Sequence, residues 1–215
     1  MKTRLYIDGF NLYYGALKDT PYKWLNPQKL VEQICPKNQI VGIKYFTAAV
    51  SPQPGNPDAR TRQQFYWRAL KTLPDLEIIE GQFRVRTKRM KKVTPPPSTV
   101  EVFSTEEKGS DVNLATHLLM DGFLGDYEVA IVISGDSDLL TPIQMVREQL
   151  RKSVGVINPQ LTTGPYKRLD KRGSCGLQRA ASFYRDHLTD AKVASSLFPD
   201  TMTDATGAFS KPSIW

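Results

Sequence analysis

Val129-Ala130-Ile131-Val132-Ile133-Ser134-Gly135-Asp136-Ser137-Asp138 is the passage on which the fold turns. Five uninterrupted apolar residues read as a strand covered on both faces, which belongs in the middle of a parallel sheet. The polar residues that stop it would deliver Asp136 and Asp138 to its carboxyl end, where open α/β sheets place their ligands. Thr141-Pro142-Ile143-Gln144 then has the form of a capping box with proline at the first helical position. A helix to about Arg151 and a further strand over 154–157 are expected.

The same grammar extends in both directions. Leu5, Tyr6 and Ile7 read as a short buried strand ending at Asp8, followed by helix-compatible spacing over 11–18. Asn26-Pro27 opens a helix through Leu30, Val31 and Ile34, and 40–50 is β-branched and aromatic enough for a second strand. A Pro- and Gly-rich loop over 51–57 leads to a helix over 58–73 and a third strand over 76–80. Ser110 is placed to cap a helix carrying Val112, Leu114, Ala115, Leu118 and Leu119 and ending near Asp121-Gly122. Strands alternating with helices give an α/β fold with a mainly parallel central sheet and helices on both faces. The expected organisation is one domain over 1–160 and an extension over 161–215 packing on it. The segment 82–103 departs from the alternation: Arg84, Arg86, Lys88, Arg89, Lys91 and Lys92 crowd together, followed by three prolines at 95–97. It reads as an exposed hairpin or flap with a basic tip.

Net charge of +7 over 215 residues suits an anionic polymer as partner. A 40% apolar fraction is enough for a real core, and no run of about 18 apolar residues could span a bilayer. The protein is expected to be soluble and cytoplasmic, without a membrane partner. Cys35 and Cys175 stand alone, and His117 and His187 are too isolated for an imidazole site. Any metal must therefore be held by oxygen.

Four aspartates meet that requirement. Asp8 and the Asp136, Asp138 pair follow strands and Asp111 opens a helix, so all four could converge on one sheet edge. Asn11 could orient Asp8, and Lys108 could touch a phosphate. Each acid alone is more often a helix cap or turn residue; their joint placement has no such common cause and favours a metal site. Phosphodiester hydrolysis needs an activated water, an oriented phosphate and a stabilised leaving oxygen, which one or two Mg²⁺ or Mn²⁺ ions about 4 Å apart can supply.

Three motifs in order, Tyr6-Ile7-Asp8-Gly9-Phe10-Asn11-Leu12, Glu107-Lys108-Gly109-Ser110-Asp111-Val112-Asn113-Leu114-Ala115 and Val132-Ile133-Ser134-Gly135-Asp136-Ser137-Asp138-Leu139, resemble the NYN family of PIN-like nuclease domains over about residues 2–160. The resemblance implies a PIN-like three-layer sandwich and a Mg²⁺- or Mn²⁺-dependent ribonuclease. Asp8, Asp111, Asp136 and Asp138 would hold metal, and Asn11 would support catalysis. PIN relatives commonly add a Glu on an early helix, for which Glu32 is the candidate. The residues expected against RNA are Lys108, Ser134, Arg84, Arg86, Lys88 and Arg89, with Phe83 or Phe103 stacking on an unpaired base. The Lys167, Arg168, Lys171, Arg172 cluster reads as solvated surface, and a homodimer through the extension is possible. A non-catalytic RNA-binding module and a structure-specific DNA nuclease are the alternatives.

Overall fold

A computed structural model describes residues 1–51, 55–93, 99–167 and 173–215. Pro95, Pro96 and Pro97, and Arg168, Lys171 and Arg172, lie outside the described residues.

In chain order the elements are β1 (Lys2–Asp8), α1 (Gly9–Leu12) running into a π-helical turn (Tyr13–Leu17), α2 (Pro27–Ile34), β2 (Gln39–Ala48), α3 (Ala59–Leu70), β3 (Leu76–Lys91), β4 (Thr99–Lys108), α4 (Ser110–Leu124), β5 (Val129–Ile133), a 3-10 turn (Ser137–Leu139), α5 (Leu140–Glu148), β6 (Ser153–Ile157), α6 (Cys175–Ala180), β7 (Phe183–Arg185), α7 (Asp190–Ala194), β8 (Thr201–Asp204) and β9 (Gly207–Ser210). Among the described residues the central sheet has seven strands in the order β4-β3-β2-β1-β5-β6-β7. All neighbours are parallel except β3 and β4.

Every residue of β5 is buried, as its unbroken apolar run requires. Strand alternation divides these residues between two cores. Leu5, Ile7, Ile131 and Ile133 face Leu30 and Val31 of α2 and Tyr66, Trp67 and Leu70 of α3. Tyr6, Ala130, Val132, Val154 and Val156 face Leu114 and Leu118 of α4, Ile143 and Val146 of α5 and Leu177 of α6. The three-layer sandwich follows directly from this division. No helix among the described residues is long and apolar enough to cross a membrane.

Several boundaries differ from the sequence reading for identifiable reasons. Thr141 does not begin α5. The Asp136 carboxylate accepts the Asp138 amide at 2.9 Å, seeding the 3-10 turn that runs straight into the helix. The helix stops at Glu148, before Arg151 takes a left-handed φ of 54°. Ser110 is the first residue of α4, not its cap: Gly109 holds the N-cap position, and Glu107 supplies the side-chain acceptor, its Oε1 accepting the Ser110 amide at 3.1 Å and the Ser110 hydroxyl at 2.9 Å. The turn into α4 runs through Gly109 at φ 107°, a conformation open to glycine and strained for side-chain-bearing residues.

β3 is far longer than expected. Its parallel pairing with β2 ends at Ala48 opposite Gly81, while the strand continues to Lys91 as a two-stranded ribbon with β4. That ribbon therefore projects past the carboxyl edge of the sheet. Beyond residue 160, β7 adds to the sheet beside β6, and β8 and β9 form a separate hairpin. Arg68 of α3 anchors that hairpin by donating to both Asp204 oxygens at 2.6 and 2.7 Å and lying over Phe209 at 4.2 Å.

Candidate metal and nucleic-acid site

The register that pairs Ile7 with Ile133 leaves Asp8 and Ser134 as the next residues on adjacent strands. Asp8 caps α1, and its Oδ1 accepts the Asn11 amide at 2.9 Å. Its Oδ2 accepts Asn11 Nδ2 at 2.7 Å and the Ser134 hydroxyl at 3.0 Å. Asn11 Oδ1 in turn accepts the Gly135 amide at 3.2 Å, and Ser134 Oγ accepts the Asp136 amide at 3.1 Å. Asn11 and Ser134 thus tie the two strand ends together and fix the orientation of the Asp8 carboxylate. Ser134 is fully buried, so its hydroxyl serves this network.

A cavity of about 280 Å³ opens above these groups, lined by Asp8, Phe10, Asn11, Tyr14, Phe83, Glu107, Ser110, Asp111 and Asp136. Three aspartates from distant parts of the chain share this wall with Glu107, which the sequence reading had not singled out. Glu107 can sit there because Gly81 across the ribbon has no side chain; a Cβ on it would stand 2.3 Å from Glu107 Oε1. Asp138 is exposed and does not line the cavity. Glu32 is also exposed, accepts from Gln28 at 2.9 Å on α2, and is absent from the cavity wall.

The electrostatics of this wall are those of acids without cations. Burial raises the Asp8 pKa, more than hydrogen bonds from Asn11 and Ser134 lower it, and Asp136 pushes it further up. Burial, then repulsion by Asp8, Asp136, Glu107 and Asp138, raises the Asp111 carboxyl to about 6. The nearby Lys108 does not relieve this, since its ammonium pairs with Glu106 at 3.3 Å.

Ribbon alternation sorts the basic residues. Phe83, Arg89 and Lys91 share a face with Glu107 and Phe103, and this is the face that lines the cavity through Phe83 and Glu107. Arg84, Arg86, Lys88 and Lys108 lie on the opposite face with Glu106, to which Lys88 is also ion-paired. Phe103 is 84% exposed, an apolar ring farther along the same face, opposite Thr87. His117 is remote from this chemistry: its Nδ1 contacts Lys44 Nζ at 2.9 Å.

The residues fit a hard divalent ion in kind: carboxylate oxygens, with Asn11 and Ser134 holding the central one in place. Among the described residues no three His, Cys, Asp or Glu side chains form a ready-made ligand set, so joint ligation requires the lining carboxylates to draw together.

Residues 2–172 match the NYN domain, a range that includes all three acidic motifs and the whole ribbon. The chain belongs to the NYN domain family. NYN domains have a nuclease-like fold, and such nucleases typically use divalent metals. The NYN chain is also 31% identical to the 6-hydroxy-3-succinoylpyridine 3-monooxygenase HspA of Pseudomonas putida over 242 aligned positions, covering 100% of this chain and 75% of that protein. In fold, it is similar to a crystal structure of a protein of unknown function from Vibrio parahaemolyticus, with a TM-score of 0.54 at 16% identity, covering 88% of this chain and 93% of that one.

Proposed function

We propose that this NYN domain is a metal-dependent ribonuclease that hydrolyses RNA phosphodiester bonds. The observation that carries the reading is the acidic cavity itself: Asp8, Asp111 and Asp136 meet at the carboxyl edge of the sheet with no protein cation among the lining residues. Asp8 and Asp136 would be the principal ligands of Mg²⁺ or Mn²⁺, with Asp111 completing the set and Asp138 acting from the rim. A divalent ion there would supply charge neutralisation at the phosphate and a more acidic water. The chain's own part is to orient Asp8 through Asn11 and Ser134, to present the strand along the ribbon face of Arg89 and Lys91, and to hold an unpaired base on Phe83 or Phe103.

A fluorogenic RNA assay tests this. Cleavage is expected with Mn²⁺ and is expected to stop with EDTA or with Asp8→Asn plus Asp136→Asn; activity surviving both overturns the assignment. Salt-sensitive binding without product at millimolar Mn²⁺ identifies an RNA-binding module instead, and preferential cutting of branched DNA identifies a DNA nuclease.

A second reading follows from the similarity of the whole chain to three quarters of the Pseudomonas putida monooxygenase and from a second, aromatic cavity of about 500 Å³ beside the acids. Here the substrate would be a small substituted pyridine. Oxygen uptake on adding 6-hydroxy-3-succinoylpyridine and a reduced nicotinamide, with none on RNA, would favour it.

A further inference from the structure

The larger cavity shares two walls with the acidic one. Phe10 and Tyr14 line both, four residues apart on one side of the helical turn that follows Asp8. Phe83 of the ribbon meets Phe10 edge-on at 5.4 Å between ring centroids, so an aromatic surface runs from the ribbon, past the acids, into the larger cavity. At about 500 Å³ this cavity lies within the ~300–1,000 Å³ range of small-molecule sites. Its buried wall is Tyr45, Tyr66 and Trp67, with Trp215 edge-on to Tyr66 at 6.0 Å between ring centroids. Lys23 and Arg62 stand on its lining, Arg62 hydrogen-bonded to the neutral Asn56. A planar ring would find aromatic neighbours there, and an anionic substituent would find Lys18, Lys23 and Arg62 against the single acid Asp19, whereas acids alone supply the charge in the cavity next door.

We infer that this cavity is a base-binding subsite: it receives the unpaired nucleobase of a nucleotide flanking the phosphate held at Asp8, Asp111 and Asp136, with Lys23 and Arg62 facing that nucleotide's own phosphate. The inference rests on the ribonuclease reading for its place along an RNA strand, but the recognition itself requires no metal and no cleavage. Stacking a base on such a surface contributes about 1–3 kcal/mol, equivalent to about 5- to 150-fold in affinity.

The experiment uses the full chain in EDTA and follows the indole resonance of Trp67, assigned with Trp67→Phe, while adenosine 5′-monophosphate, ribose 5-phosphate or pyridine-3-carboxylate is added. The expected result is a saturable shift with adenosine 5′-monophosphate and at least tenfold weaker binding of ribose 5-phosphate, which has no base. Lys23→Glu with Arg62→Glu should weaken the nucleotide about tenfold and Tyr14→Ala about fivefold; Tyr14 is 53% exposed, so its removal leaves the core intact. Equal binding of ribose 5-phosphate, tighter binding of pyridine-3-carboxylate, or no shift at millimolar nucleotide overturns the subsite. The two readings fail separately. Nucleotide binding in a chain that never cuts RNA keeps the subsite and removes the nuclease. RNA cleavage with an unmoved Trp67 resonance, and with equal rates for intact RNA and RNA carrying one abasic unit beside the cut, removes the subsite alone.

Discussion

Asp121 and Asp8 are both buried, at 5% and 3% exposure, and the protein treats them in opposite ways. Asp121, on α4, has Lys44 Nζ at 2.8 Å, Arg4 Nη1 at 3.1 Å and the Tyr6 hydroxyl at 2.7 Å. Burial pushes its pKa up, but these donors together outweigh burial and hold it below the ordinary carboxylate value. At Asp8 burial raises the pKa, the neutral donors Asn11 and Ser134 do not offset it, and Asp136 adds to it. A chain with net charge +7 has no shortage of cations, and it places them around one buried acid and not the other. Where a carboxylate is part of the scaffold the fold supplies its counter-ion; on the proposed reading a cation, or a cation with its phosphate, completes the Asp8 wall.

The largest expected effect breaks the scaffold side of this contrast. Asp121→Asn leaves Lys44 and Arg4 beside a neutral amide and should lower unfolding stability by about 3 kcal/mol, the lower part of the range for a broken buried pair because Arg4 retains Asp126 at 3.0 Å. Urea denaturation measures it. Asp8→Asn should cost far less, about 1 kcal/mol in EDTA, because its amide nitrogen must face a donor of Asn11 or Ser134 while the loss of charge relieves repulsion from the other acids, with RNA cleavage reduced on the order of 10²- to 10³-fold. A large destabilisation by Asp8→Asn would mean that its acid is structural too.

Next in size is the cation itself. Mn²⁺ at 100 times its dissociation constant should stabilise the native chain by about 2.7 kcal/mol and Asp8→Asn plus Asp136→Asn hardly at all, read as melting temperature. Proton linkage sharpens the comparison further. Asp111 titrates near 6 in the fold, above its unfolded value, so without metal the folded state binds the proton more tightly and loses stability as pH rises from about 4 through 6. Asp111→Asn should therefore exceed the parent in stability at pH 7.5, by up to about 1 kcal/mol after screening of a half-buried group, and the gain should vanish near pH 4. Asp121 has the opposite sign: its contribution is present above the ordinary carboxylate value and is lost as pH falls below it. The smallest effect concerns the ribbon. Arg89→Glu with Lys91→Glu should lower the slope of log affinity for RNA against log salt by about 1.4, and Arg84→Glu with Arg86→Glu should leave it nearly unchanged.

The central architecture was legible because its signals are local. An unbroken apolar strand such as Val129–Ile133 has few other homes, and each acid sits at a fixed step beyond such a strand or at a helix start. What was not legible depended on partners distant in sequence or on a loop folding back on itself. That Glu107 rather than Ser110 supplies the side-chain acceptor at the start of α4 requires the space opposite Gly81, and the early start of α5 requires the Asp136 carboxylate to turn back on its own loop. The basic run reads as one cluster in one dimension, and only its place in a single continuous strand, with Phe83 on the cavity wall, puts Arg89 and Lys91 on the cavity's face and Arg84, Arg86 and Lys88 on the other. The Asp121 network was similarly hidden, its members being spread over β1, β2 and α4.

Diffraction at the manganese edge from crystals soaked in Mn²⁺ addresses the contrast between the two buried aspartates most directly. Anomalous density is expected in the cavity bounded by Asp8, Asp111 and Asp136, about 2.0–2.6 Å from their oxygens, with none near Asp121. Saturating Mn²⁺ that leaves this cavity without density, with all three carboxylates unmoved, would contradict it.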